Sequence, residues 1–173
     1  MTRNELARSI QRLALIHGDF LLRSGQRSSQ YFDKYRFESD PQVLRAVAEQ
    51  MAELIPSGTE YLAGLEMGGI PVATALSLHT GIPCIFVRKE PKAYGTCQFA
   101  EGVGSVEGKK LCLVEDVVTT GGQVILSAKD LRKSGAIVEN VVCVIHRGGG
   151  VQPLKEYGLV LAPLFEMSEL TDH

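Results

Sequence analysis

No apolar run in the chain is long enough to cross a bilayer. Neither sign of charge is in excess: 18 Lys and Arg against 20 Asp and Glu leave a net charge of −2. With no basic face, binding to nucleic acid is not expected. Cysteine is sparse. Cys84, Cys97, Cys112 and Cys143 form no C-x-x-C pair, and no histidine accompanies them at zinc-site spacing. Cys84, Cys112 and Cys143 fall in apolar runs, where Cys acts as a small buried residue, while Cys97 falls in a polar loop. A reducing cytoplasm suits all four. Met1 is followed by a polar helical stretch, so no signal peptide is expected. No Gly-Lys-Ser/Thr follows a glycine turn, which removes the P-loop. Gly102 and Gly104 begin a dinucleotide fingerprint, but Glu107 stands where its third glycine belongs. There is no internal repeat and no low-complexity segment.

What remains is a chain of 173 residues, 45% hydrophobic and 22% charged, enough for one domain with a substantial core. Its most informative stretch is Leu111 to Gly122, LCLVEDVVTTGG. Leu111 to Val114 read as a strand buried on both faces. The acids Glu115 and Asp116 follow, then Val117 and Val118, then Thr119, Thr120, Gly121 and Gly122. A helix comes next, with Val124, Ile125, Ala128 and Leu131 on one face and Gly135 as its stop. A parallel strand delivers its C-terminal residues to the crevice where α/β sheets bind ligands. Hydroxyls and bare glycines at the start of the next helix offer N–H groups and a positive dipole end to an anion. Two carboxylates beside a phosphate cup make sense if the ligand also carries neutral hydroxyls, as ribose does; the bland alternative is a solvated pair at a strand end. The stretch reads as a sugar-phosphate site.

The rest of the chain alternates strands and helices. Thr2 and Glu5 have capping-box spacing and open a helix with Leu6, Ile10, Leu13 and Ala14 inward, ending near Gly18. Phe20 to Leu22, a small and basic break, and Tyr31 to Asp33 read as a hairpin at the domain edge with solvated arginines. Asp40-Pro41 starts a helix with the stripe Val43, Leu44, Val47, Met51 and Leu54. Tyr61 to Leu65 is a buried strand, and Gly68 and Gly69 lie between it and a helix through Leu78, either as a tight turn or as a second anion cup. Pro83 to Val87 is a strand that runs into a long loop carrying Arg88, Lys89 and Lys92, cations suited to a multiply charged phosphate ester. Ile137 to His146 and Leu159 to Phe165 supply the last strands, the first ending in Arg147 and three glycines. This order predicts an α/β fold, a mostly parallel central sheet flanked by helices.

Four apolar residues, two acids, two apolar residues and Thr-Thr-Gly-Gly resemble the phosphoribosyl-diphosphate (PRPP) fingerprint of type I phosphoribosyltransferases. Three further segments resemble the orotate-specific members of that family: Phe20 to Asp33 their N-terminal hood, Arg88-Lys89-x-x-Lys92-x-Tyr94-Gly95 their mobile catalytic loop, and Arg147 the arginine that meets orotate's carboxylate. The resemblance implies one domain over residues 1–173, with residues 1–37 as a hood and 89–108 as a mobile loop. It implies PRPP binding by Arg23, Arg88, Lys89, Lys92, Tyr94, Glu115, Asp116, Val117, Val118, Thr119, Thr120, Gly121, Gly122 and Gln123. Orotate would meet Tyr31, Phe32, Thr119 and Arg147, and Lys92 and Asp116 would be catalytic. It further implies Mg²⁺ held mainly by PRPP and a homodimer with shared sites. The chain departs from the family pattern at Glu115 (commonly Asp), Tyr94 (commonly His), Arg23 (frequently Lys) and Gly68 (Lys in some members). A different nucleobase acceptor, with Phe165 as a stacking residue, and a PRPP-sensing, nucleic-acid-binding regulator of the same fold are the competing readings.

Overall fold

The computed structural model describes residues 1–21, 25–90 and 99–171. The capping box forms as the spacing predicts. The Thr2 hydroxyl accepts from the Glu5 N–H at 3.3 Å, and the Glu5 carboxylate accepts from the Thr2 N–H at 2.8 Å. The helix so opened, α1 (Arg3–Ala14), buries Leu6, Ile10 and Ala14. It ends before Gly18. The Asp33 N–H donates to the Ala14 carbonyl at 2.8 Å, and cross-strand pairing takes over from helical bonding at that point. The chain passes directly into β1 (Leu15–Leu21), which pairs antiparallel with β2 (Arg27–Phe32). This two-stranded ribbon is the expected hairpin, and its Arg27 is exposed and paired with Asp19.

One turn of helix, α2 (Tyr35–Glu38), follows; nothing in the sequence pattern announced it. The Asp40 carboxylate caps α3 (Pro41–Met51) by accepting from Gln42 and Val43, both at 3.0 Å, and a 3-10 turn, Ala52–Leu54, completes the segment. Then come β3 (Tyr61–Leu65), α4 (Gly69–Thr80), β4 (Cys84–Val87), β5 (Ala100–Glu101), β6 (Lys110–Val118), α5 (Gly122–Lys133), β7 (Ile137–His146), α6 (Val151–Glu156), β8 (Val160–Glu166) and α7 (Ser168–Thr171). The main sheet is six-stranded in the order β5-β4-β3-β6-β7-β8, parallel throughout except where β5 runs against β4.

Side chains alternate across this sheet. Cys112 and Val114 of β6 join Leu6, Val47, Met51 and Leu76 under α1, α3 and α4. Leu111 and Leu113 face the other way, into a second cluster with Val124, Ala128 and Leu131 of α5. Both faces are therefore covered, as the near-continuous apolar strands require. The chain winds from β3 outward to β4 on one side and from β6 outward to β7 on the other. The strand order thus reverses between β3 and β6, and the crevice outside their carboxyl ends is where such sheets take ligands.

Within the stretch read as a loop from 89 to 108, Phe86 pairs with Glu101 and Val87 with Ala100, Val106 is buried, and the Gly108 N–H donates to the Gly135 carbonyl. The described part of that stretch is tied to the sheet at both its feet.

Candidate active site

The acids do not follow the end of a strand; β6 continues through them to Val118, with Glu115 opposite Cys143 and Val117 opposite Ile145. The apolar pattern stops at Val114 because two partnered carboxylates replace hydrophobic residues inside the strand. Asp116 is fully buried and Glu115 is 9% exposed. Asp116 shares the sheet face of Cys112 and Val114 and therefore points beneath the hood and α2. There the Lys34 ammonium lies 2.5 Å from its Oδ2, and Glu38, also buried, faces it from α2.

Three carboxyl groups around one ammonium cannot all ionise. Burial, then the neighbouring Asp116 charge, pushes Glu115 up to about 9 and Glu38 likewise to about 9. Asp116 is also buried, but the neighbouring Glu115 and Glu38 carboxyls and the Lys34 ammonium outweigh that penalty and hold it below the ordinary range. Burial pulls Lys34 down, and the Asp116 carboxylate more than restores it, leaving it raised. At neutral pH the cluster is thus one carboxylate, one ammonium and two neutral carboxyls able to donate. Lys34 makes an ionic contact with Asp116 Oδ2 without an aligned hydrogen bond, so that oxygen retains capacity for a hydroxyl donor.

Helix termini complete the crevice. Side chains cap α1 and α3. Neither α4, entered through Gly68, nor α5, entered through Gly121, has a side-chain cap. Gly121 has φ +76°, and a Cβ there would meet the Leu154 side chain at 2.9 Å, so glycine is required for both reasons. Two bare N-termini at the switch point offer their amides to anions.

Beside them lies a cavity of about 580 Å³ between the hairpin and the strand ends. Tyr31, Phe32, Thr119 and Arg147, the residues expected to meet an aromatic anion, all line it, together with Lys34, Val117 and Tyr35. Tyr31 stacks at a tilt on Phe20 across the hairpin, with ring centroids 5.6 Å apart. The Arg147 N–H donates to the Val118 carbonyl at 2.8 Å, which fixes its backbone at the strand end. Thr120 is exposed, as are Gly122 and Thr119, along the bend. Val118, by contrast, buries its side chain in the core under α5 and gives its carbonyl to Arg147, so its part is to shape the bend. Gln123 turns toward Ser127 at 3.5 Å. Arg88 is held at the foot of the loop, its N–H donating to Phe99, and Lys89 is exposed beside it. Arg23, Lys92, Tyr94 and Cys97 lie outside the described residues. Phe165 is a core residue under the Arg3 guanidinium, 4.4 Å from its ring, and does not line this cavity.

Lys34 and Glu38 escaped the sequence reading. Both look like surface charges, and only the fold brings them against Asp116.

Comparison with known proteins decides the family. The model of the phosphoribosyl transferase domain matches residues 36–162. A protein of Nocardioides named orotate phosphoribosyltransferase is 49% identical over 166 residues, 95% of this chain and 92% of that one. The chain belongs to the orotate phosphoribosyltransferase family. Among solved structures, the family's Mycobacterium tuberculosis member in complex with Fe(III) dicitrate superposes with a TM-score of 0.88 at 30% identity, covering 98% of each chain. The same enzyme in complex with PRPP gives 0.83 at 27% identity over 97% of this chain and 98% of that one. The family fold is thus shared over nearly the whole chain, hairpin included. Among the described residues no helix is long and apolar enough to cross a membrane.

Proposed function

We infer that the chain transfers the 5-phosphoribosyl group of PRPP to N1 of orotate, giving orotidine 5′-monophosphate and diphosphate in pyrimidine synthesis. One juxtaposition carries the reading: a cavity with Arg147 and two hood aromatics adjoins an ionised, fully buried Asp116 and a bare helix terminus. Orotate is a planar anion, for which a forked guanidinium is the fitting partner. Asp116 and Glu115 take the ribose hydroxyls, and the amides from Thr119 to Gln123 take the 5′-phosphate. Thr119 offers its hydroxyl to the pyrimidine between Tyr31 and Phe32.

Departure of diphosphate leaves positive charge on the ribose ring and gathers negative charge on the leaving group. Asp116 faces the first, and Arg88, Lys89 and Lys92, with Arg23 and Tyr94, meet the second as residues 89–108 close. The hood, residues 1–37, and the closed loop exclude the water that would otherwise capture the ring. The residues present suit a metal ion brought by the donor: the acids that gather at the site, Asp116 with Glu115 and Glu38, already surround the Lys34 ammonium. Mg²⁺ bound to PRPP supplies Lewis-acid neutralisation of the diphosphate. The active form is a cytoplasmic homodimer with shared sites.

The test is a spectrophotometric assay of orotate loss with PRPP and Mg²⁺, run beside a panel of other nucleobases. Loss of orotate that requires PRPP is the expected result. Diphosphate release with another base and none with orotate would overturn the assignment.

A further inference from the structure

Lys34 belongs to both halves of the site. Its ammonium rests on Asp116, the carboxylate read as the ribose holder, while its side chain lines the cavity of Arg147 and Thr119. We propose that Lys34 couples the two substrates: it sits on Asp116 while the donor site is empty, and ribose hydroxyls that take Asp116 release it to the anionic acceptor in the cavity it lines. The proposal rests on the reading of Asp116 as the ribose carboxylate.

Three observations support the exchange. The first is that Asp116 is fully buried; the Val117 N–H serves its Oδ1, but Lys34 is what faces Oδ2, so the ammonium leaves only when other donors reach that oxygen. Ribose hydroxyls are such donors, and the unaligned contact at Oδ2 leaves room for one of them. The second is that Glu38 stands buried beside Asp116 with both carboxyl oxygens unpartnered, so as a neutral carboxyl it can turn its proton to Asp116 once the ammonium has gone. The third concerns the hinge of the movement. The backbone before Lys34 is pinned by the bond from Asp33 to Ala14, and Lys34 itself is the N-cap of α2. Only the flexible stem need turn; the side chain is one-third exposed and lines the cavity, with its ammonium 5.2 Å from the Tyr35 ring centroid. Before the exchange Lys34 is neutralised by Asp116 and offers little to an anion. Afterwards its charge is free beside Arg147. The donor therefore strengthens acceptor binding, and by linkage the acceptor strengthens donor binding by the same factor.

The experiment is a calorimetric titration of orotate into the full chain, with and without saturating ribose 5-phosphate, which presents the hydroxyls without reacting. In the wild type ribose 5-phosphate tightens orotate about 10-fold. In Lys34→Met the factor falls to about one, through loss of the tightened state rather than of binding to the free protein. Lys34→Gln, which retains a donor for Asp116 but no charge, gives the same result should Lys34→Met fold poorly. No tightening in the wild type, or an unchanged factor in either variant, overturns the proposal. Asp116→Asn separates this from the underlying reading: if it binds ribose 5-phosphate as the wild type does, the ribose assignment itself fails.

Discussion

A Cβ at Gly68 would overlap the carboxylate of Asp116. Gly68 has ordinary right-handed helical angles, φ −68° and ψ −29°, so its lack of a side chain answers to space and not to backbone strain. Here the volume belongs to the buried acid. Gly68→Ala should therefore push the Asp116 side chain aside, cutting kcat/KM for PRPP about 10- to 100-fold while leaving the melting temperature little changed. Gly69→Ala should do the reverse, because its Cβ would meet the Val114 carbonyl of the central strand, a backbone atom that cannot yield. A loss of about 1–3 kcal/mol in denaturant unfolding is the expected cost. Equal stability losses in the two variants would show that Asp116 does not fill the space at Gly68.

The buried acids set a pH dependence. Glu38 and Glu115 hold their protons to about pH 9 in the folded chain, against 4.5 for an ordinary glutamate. Between those values the folded state binds more protons than the unfolded one, so stability falls as pH rises through that window. The depressed Asp116 acts in acid, where its contribution is lost as pH drops, and the raised Lys34 acts only at higher pH. Thermal melts of Glu38→Gln should show a shallower alkaline decline than the wild type and a higher melting temperature near pH 8. Parallel curves would mean that Glu38 is ionised in the native state.

Arg147→Lys keeps the charge at the cavity and loses the fork. Steady-state kinetics should give a KM for orotate raised about 10-fold, with the KM for PRPP within about twofold of wild type. A change in both would place Arg147 on the donor as well.

Lys92→Ala tests the loop. Removing a cation that acts on the leaving group should lower kcat about 100-fold or more while the dissociation constant of PRPP moves much less. Equal losses in binding and turnover would make Lys92 a ground-state anchor only.

Much of the architecture could be read before folding, because β6, β7, α3 and α5 each carry enough apolar positions for a period to declare itself. The short helices α2, α6 and α7 span one or two turns, over which no period accumulates, and β5 is two residues whose strand character comes from pairing with β4. The boundary at Asp116 was placed too early for a different reason. A buried carboxylate looks like a strand end unless its partners are known, and Lys34 and Glu38 come from a distant part of the chain. Tyr31, Phe32, Thr119 and Arg147 were legible as a set through their motifs and do meet on one cavity wall. Lys34 had no motif to mark it.

Leaving α4 and α5 without side-chain caps has a consequence for anyone seeking a sturdier version of this chain. A capping Ser or Asp is a common route to thermal robustness, about 1 kcal/mol for each terminus. At Gly68 its side chain would overlap the Asp116 carboxylate, and at Gly121 it would strike Leu154, so the glycines that keep these termini open to an anion also forbid the usual cap. Hardening is better sought at the far ends of these helices, where a tougher fold need not compete with the cargo.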